Sequence, residues 1–142
     1  LLIAAAIRLV IASRDMQTLI TKVLSDDAFY YFQLAKNAAA GRGVTFDGMT
    51  PANGFHPLWF LLLVPIQFLL GGSLTAPVHA ALALEGLLDV GAGVFIFLLV
   101  ARLTENRGAA FLGAAIYLLN PTVIFHSVNG LETGLNLFLF AF

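Results

Sequence analysis

The stretch PVHAALALEGLLDVGAGVFIFLLVAR, Pro77 to Arg102, decides how the rest of the chain is read. A membrane-spanning helix needs about 20 mostly apolar residues. This run supplies them, with acids only at Glu85 and Asp89. The tight polar loop Thr104-Glu105-Asn106-Arg107 follows, and Gly108 to His126 is apolar again. Two apolar runs joined by so short a polar loop read as a helical hairpin crossing a bilayer twice.

The composition of the whole chain agrees. Of its 142 residues, 60% are hydrophobic and 11% are charged, where a soluble domain carries about 25% charge. Mean hydropathy is +0.93. Lys+Arg number 7 against 8 acids, and there is no cysteine. These values point away from a soluble globular, disordered or disulfide-stapled chain. They also point away from nucleic acid as a partner.

The expected fold class is an all-α polytopic membrane protein, with amphipathic juxtamembrane helices in a large first external loop. Residues 1–14 read as the end of a first span, 15–76 as the loop, 77–102 and 108–127 as spans, and 135–142 as the start of another. Neither terminal run is long enough to cross alone, so the chain is expected to be the N-terminal part of a longer single domain. Within the loop, Leu19, Ile20, Val23 and Leu24 recur at helical spacing on a short surface helix. Ser25 then reads as the N-cap of a second helix that Gly41 and Gly43 stop. Phe29, Phe32, Ala35, Ala38 and Ala39 form its expected apolar face, with Gln33, Lys36 and Asn37 opposite. Val44 to Pro57 is a loop with turn signals and two packing anchors, Phe46 and Phe55.

Topology follows from parity. Arg102 and Arg107 flank the hairpin loop, which the positive-inside rule assigns to the cytoplasm. The run from Leu58 to Leu70 reaches only about 20 Å as a helix, against a hydrocarbon core of about 30 Å, and Pro65 weakens it as a straight span. Those features favour a non-crossing segment. Asp26, Asp27, His56 and Glu132 then share the external side. If Leu58 to Leu70 did cross, Asp26 and Glu132 would be on opposite sides.

Several polar residues have both a structural and a functional reading. Asp26 and Asp27 suit the positive end of a helix, and they also suit a general base at the membrane surface. His56 sits in the turn Asn53-Gly54-Phe55-His56-Pro57, next to an apolar helix whose Trp59 reads as an interfacial aromatic. Glu132 lies in Asn129-Gly130-Leu131-Glu132-Thr133-Gly134 at the mouth of a span, where Asn129 or Thr133 is placed to cap the helix start. Glu85 and Asp89, four residues apart inside a span, are candidates for a wet cavity or for a structural hydrogen-bond network. Gly86, Gly91 and Gly93 predict close helix packing beside them.

Three ordered blocks carry a resemblance. Asp26-Asp27-Ala28-Phe29-Tyr30-Tyr31-Phe32 through Gly41-Arg42-Gly43, then Thr45-Phe46-Asp47-Gly48, then Asn53-Gly54-Phe55-His56-Pro57-Leu58-Trp59, resemble the N-terminal part of GT-C integral-membrane glycosyltransferases. Protein O-mannosyltransferases, aminoarabinose transferases and arabinofuranosyltransferases are of this kind. Asn129 to Thr133 is similar to their second external loop. The resemblance implies transfer of a sugar from a polyprenyl-phosphate donor to a hydroxyl of a glycan, lipid or protein acceptor, on the external face of a bacterial inner membrane. By analogy Asp26 is the base and Asp27 orients it. His56 and Asn53 contact substrate, and Glu132 lines the cavity. A divalent metal ion on Asp27 and Glu132 is optional in this scheme, and activity needs a further C-terminal portion. The competing expectation is a non-catalytic accessory subunit, bound to other membrane subunits and serving a structural or lipid-binding role.

Overall fold

A computed structural model describes residues 1–142. The chain is all α-helical, with eight helices. They are α1 (Leu2–Ala12), α2 (Met16–Lys22), α3 (Asp26–Ala39), α4 (Pro57–Leu70), α5 (Ala76–Thr104), α6 (Arg107–Leu118), α7 (Pro121–His126) and α8 (Thr133–Ala141). One of them, α5 with 29 residues, is long and apolar enough to cross a membrane.

Helix α5 is the axis of the fold, and α1, α4, α6 and α8 all pack on it. Pro77 sits in its first turn, where a missing N–H costs nothing. It ends at Glu105, whose φ of 52° is the left-handed turn-off of a helix terminus. Asn106 then accepts from the amides of Gly108 and Ala109 to start α6. Turn-off and cap together reverse the chain within three residues, which makes the expected hairpin.

The three α5 glycines are contact points, as their sequence spacing predicted. A Cβ at Gly86 would lie 2.9 Å from Arg8 Cβ of α1, and one at Gly91 would lie 2.8 Å from the Phe138 ring of α8. At Gly93 it would lie 2.5 Å from Leu118 of α6. Small residues let these backbones approach, and larger ones would force them apart. Large apolar side chains instead face outward: Leu98, Leu99, Leu103, Phe111, Leu112 and Ile116 are all exposed on the α5–α6 hairpin.

Several expectations need correction. The run from Gly108 to residue 127 is not one helix. Pro121 has no N–H to donate, and the residue before a proline is pushed out of the helical region. α6 therefore stops at Leu118, and Asn120 caps the new helix α7 by accepting from Thr122 and Val123. On α3 the buried face is Ala28, Tyr31, Phe32, Leu34 and Ala35 together with Asn37, while Phe29 is exposed. Asn37 is buried because it donates to the carbonyls of Thr45 (2.8 Å) and Phe46 (3.0 Å), pinning the following loop. Trp59 is fully buried rather than interfacial. Its indole N–H donates to the carbonyl of Gly130 at 3.2 Å.

Helix α3 lies along α4, and their shared core joins Leu34, Ala35, Trp59, Phe60 and Leu63 to Ala81 and Leu82 of α5. Phe55 packs on Phe60, and Phe46 stacks on Tyr30 with ring centroids 5.4 Å apart, so both loop anchors are used as expected.

Candidate functional site

Three segments far apart in sequence meet at the N-terminal half of α3. Ser25 stands at the N-cap position, but its hydroxyl makes no capping bond. Instead the Ser25 amide donates to the carbonyl of Asn129 at 3.0 Å, which ties the start of α3 to the 127–133 loop. Asn129 does not cap α8 either. Its side-chain oxygen accepts from the Leu131 amide and tightens the loop, while Glu132 occupies the N-cap of α8 without a capping bond. Gly130 has φ of 85°, a conformation that favours glycine, and a Cβ there would lie 2.7 Å from that of Ala28.

Tyr31 is the meeting point. Its hydroxyl accepts the backbone N–H of His56 at 2.9 Å. Burial raises the phenol's pKa most. The His56 amide opposes that rise, and the neighbouring Glu132 and Asp27 carboxylates add to it. Asp27 is four residues before Tyr31, one turn away on the same helix face. The Tyr31 hydroxyl thus bonds the backbone of His56 and feels the charge of the Glu132 and Asp27 carboxylates.

Two side-chain atoms in this cluster are buried without a partner: His56 Nδ1 and Glu132 Oε2. Buried polar atoms are nearly always hydrogen-bonded, so both atoms retain hydrogen-bonding capacity that the chain itself does not use. Asp26 and Asp27 are exposed in the first turn of α3. Asn53 is exposed on the loop and makes no side-chain hydrogen bond. No three His, Asp or Glu side chains stand close enough together to hold a metal ion. Asp27 and Glu132, the residues expected to bind a divalent cation, belong to no such group.

Sequence reasoning passed over Tyr31, Gly130 and the polar role of Trp59. The spacing of Tyr31 from Asp27 was the available signal. Nothing in the sequence tied either residue to position 132, because that contact exists only once α8 is docked.

The other acids of the core have different roles. The Arg8 Nε donates to Asp89 (2.8 Å) and Ser127 (3.0 Å), and its Nη1 donates to the carbonyls of Ala4 and Leu118. Nη2 completes the ion pair at 2.5 Å from Asp89. Tyr117 donates to the other Asp89 oxygen. This network joins α1, α5, α6 and the residue after α7. Glu85 is fully buried, and its Oε2 accepts the Gly130 amide at 2.9 Å.

No family model, curated protein or solved structure matches the chain.

Proposed function

We propose that the chain is the N-terminal part of a polytopic membrane glycosyltransferase that uses a polyprenyl-phosphate-linked sugar. The observation that carries this reading is the bond from the His56 backbone N–H to the Tyr31 hydroxyl, with the Glu132 and Asp27 carboxylates near enough to raise that phenol's pKa. Asp27 and His56 come from the first and third of the sequence blocks that resemble GT-C enzymes, and Glu132 comes from the segment similar to their second external loop. The broad outward display of large apolar side chains on α1, α4, α5, α6 and α8 supports a bilayer setting.

In this reading α5 begins on the external side, and α2, α3 and the start of α4 lie along that surface. Asp26, exposed in the first turn of α3, takes the proton of an acceptor hydroxyl. The acceptor oxygen bonds to the anomeric carbon as the bond from that carbon to the donor phosphate breaks. The electron pair leaves on polyprenyl phosphate, which is already a competent leaving group. Asp27 holds the base and Tyr31 in register. The unpartnered His56 Nδ1 and Glu132 Oε2 meet polar groups of the substrates. No metal-dependent step is needed.

The test is transfer from a polyprenyl-phosphate sugar by the complete membrane-embedded protein carrying Asp26→Asn or Asp27→Asn. Loss of a general base lowers turnover by about 100-fold or more. Near-wild-type turnover in both variants removes the base. Wild-type protein that transfers nothing yet binds a partner complex stoichiometrically is an accessory subunit instead.

A further inference from the structure

Inside α5, Glu85 has no contact with the outer surface and no cationic partner. Its Oε2 accepts the N–H of Gly130, its Oε1 has no partner, and the residue is fully buried. A carboxylate in that position carries a heavy desolvation cost unless its hydrogen bond does something for the fold or the site. The bond goes to the loop that carries Glu132.

Gly130 is held from both sides of its backbone. Glu85 takes its N–H at 2.9 Å, and the buried Trp59 indole gives a hydrogen bond to its carbonyl at 3.2 Å. One residue earlier, the carbonyl of Asn129 accepts from Ser25 at the start of α3. Four residues later, Gly134 sits so close to α5 that a Cβ would lie 2.6 Å from the Glu85 carbonyl oxygen and 3.0 Å from its Cγ. The loop between α7 and α8 is therefore fastened to α3, α4 and α5 by one short backbone stretch. Glu132 lies between the two fastened points and faces Tyr31.

We infer that Glu85 and Trp59 form a two-sided clamp on Gly130 that positions Glu132 at the reaction centre. Glu85 is a positioning residue and touches no substrate. Its catalytic consequence rests on the glycosyltransferase reading, whereas the clamp itself does not. A buried acid packed only for helix association would act on the helices that contact it. A clamp acts on the loop.

Amide hydrogen exchange on the membrane-embedded protein separates the two, read on peptides covering 127–133 and 94–102. Glu85→Leu removes the acceptor and is expected to speed exchange across 127–133 by about tenfold, with 94–102 unchanged. Glu85→Gln keeps an acceptor oxygen at the same reach and restores most of the protection. Trp59→Phe removes only the indole N–H and gives a smaller rise in the same peptide. Unchanged exchange in Glu85→Leu overturns the clamp, and so does a rise spread evenly over both peptides. If Glu85→Leu does not fold, Trp59→Phe decides: no change at 127–133 overturns it.

A transfer assay then tests the positioning. Glu85→Leu and Glu132→Ala should not be additive, so the double variant loses no more kcat/KM than Glu132→Ala alone. Additive losses overturn the positioning role. If the exchange responses appear but the wild-type protein transfers no sugar, the clamp stands and the glycosyltransferase reading falls.

Discussion

Around Arg8 opposite charges are paired inside the fold, and around Tyr31 they are not. Arg8 and Asp89 are 1% and 0% exposed, and Tyr117, Ser127 and two backbone carbonyls supply most of their hydrogen bonds, Arg8 Nη2 being held by the ion pair alone. The Tyr31 cluster lies nearer the surface and leaves His56 Nδ1 and Glu132 Oε2 buried and unpaired. The first arrangement pairs a buried cation with a buried anion inside the fold. The second retains unused hydrogen-bonding capacity in a part of the molecule next to two exposed carboxylates. Where a low-dielectric interior holds charge for structural reasons it satisfies that charge internally. Unsatisfied groups are the ones to examine for function.

The contrast makes its largest prediction at Asp89. Asp89→Ala leaves the Arg8 guanidinium buried without its counter-ion and should cost about 3–5 kcal/mol of stability. The double variant Arg8→Met/Asp89→Leu should recover most of that loss, because it removes both charges and keeps the volume. Thermal unfolding in lipid nanodiscs measures both. A double variant as damaged as the single one would mean that the network does more than hold helices together.

A smaller effect is expected at Tyr31. Tyr31→Phe deletes the acceptor for the His56 amide and should destabilise by about 1 kcal/mol. The pH dependence has a defined sign. The folded chain binds the phenolic proton more tightly than a free tyrosine with the usual value of 10.0. Tyr31's contribution is complete below that pH and is lost as pH rises through the raised value. Alkaline unfolding curves of wild type and Tyr31→Phe should therefore converge, and curves that stay parallel would remove the effect of burial and of the two neighbouring carboxylates.

At Glu132 the comparison predicts almost no change in stability. Glu132→Gln should leave the midpoint of unfolding within about 0.5 kcal/mol of wild type while transfer falls, since function and stability often oppose each other at a site. A loss as large as that of Asp89→Ala would show that Glu132 is structural, and the distinction between the clusters would fail.

The mildest effect concerns Asp15 at the start of α2, where it accepts from the Thr18 amide and hydroxyl. These bonds hold its pKa below the usual carboxylate range. The cap is therefore present at neutral pH and is lost as pH falls below 3.8 toward the lowered value. Asp15→Ala should speed amide exchange at Thr18 and leave α5 untouched. Equal exchange in both proteins would mean that α2 does not depend on its cap.

Much of this architecture is legible in the amino-acid sequence. The long apolar helix α5, the hairpin at Thr104 to Arg107, the α3 start at Asp26 and the glycines of α5 all follow from local signals. These are an apolar run of helical length, a polar turn, a first-turn acid pair and small residues that admit a neighbour. The break at Asn120-Pro121 was also written locally, since an Asn-Pro pair favours a turn. A length-based reading of the apolar run overrode that signal.

The pairing of distant polar groups was not legible. Arg8 and Asp89 stand 81 positions apart, and Trp59 and Gly130 stand 71 apart. Periodicity in one helix says which residues share a face, but not which partner covers that face. That is why Asn37 read as solvent-facing and Trp59 as interfacial, while Tyr31 went unnoticed as the hub of the cluster. The sequence by itself determined the all-helical character, the apolar exterior and nearly every helix boundary, because these depend on residues within a few turns of one another. Only the tertiary structure decided which buried acid became a counter-ion and which a clamp. Burial makes an unpaired charge expensive, and the partner that relieves it is brought within hydrogen-bond reach by helix packing.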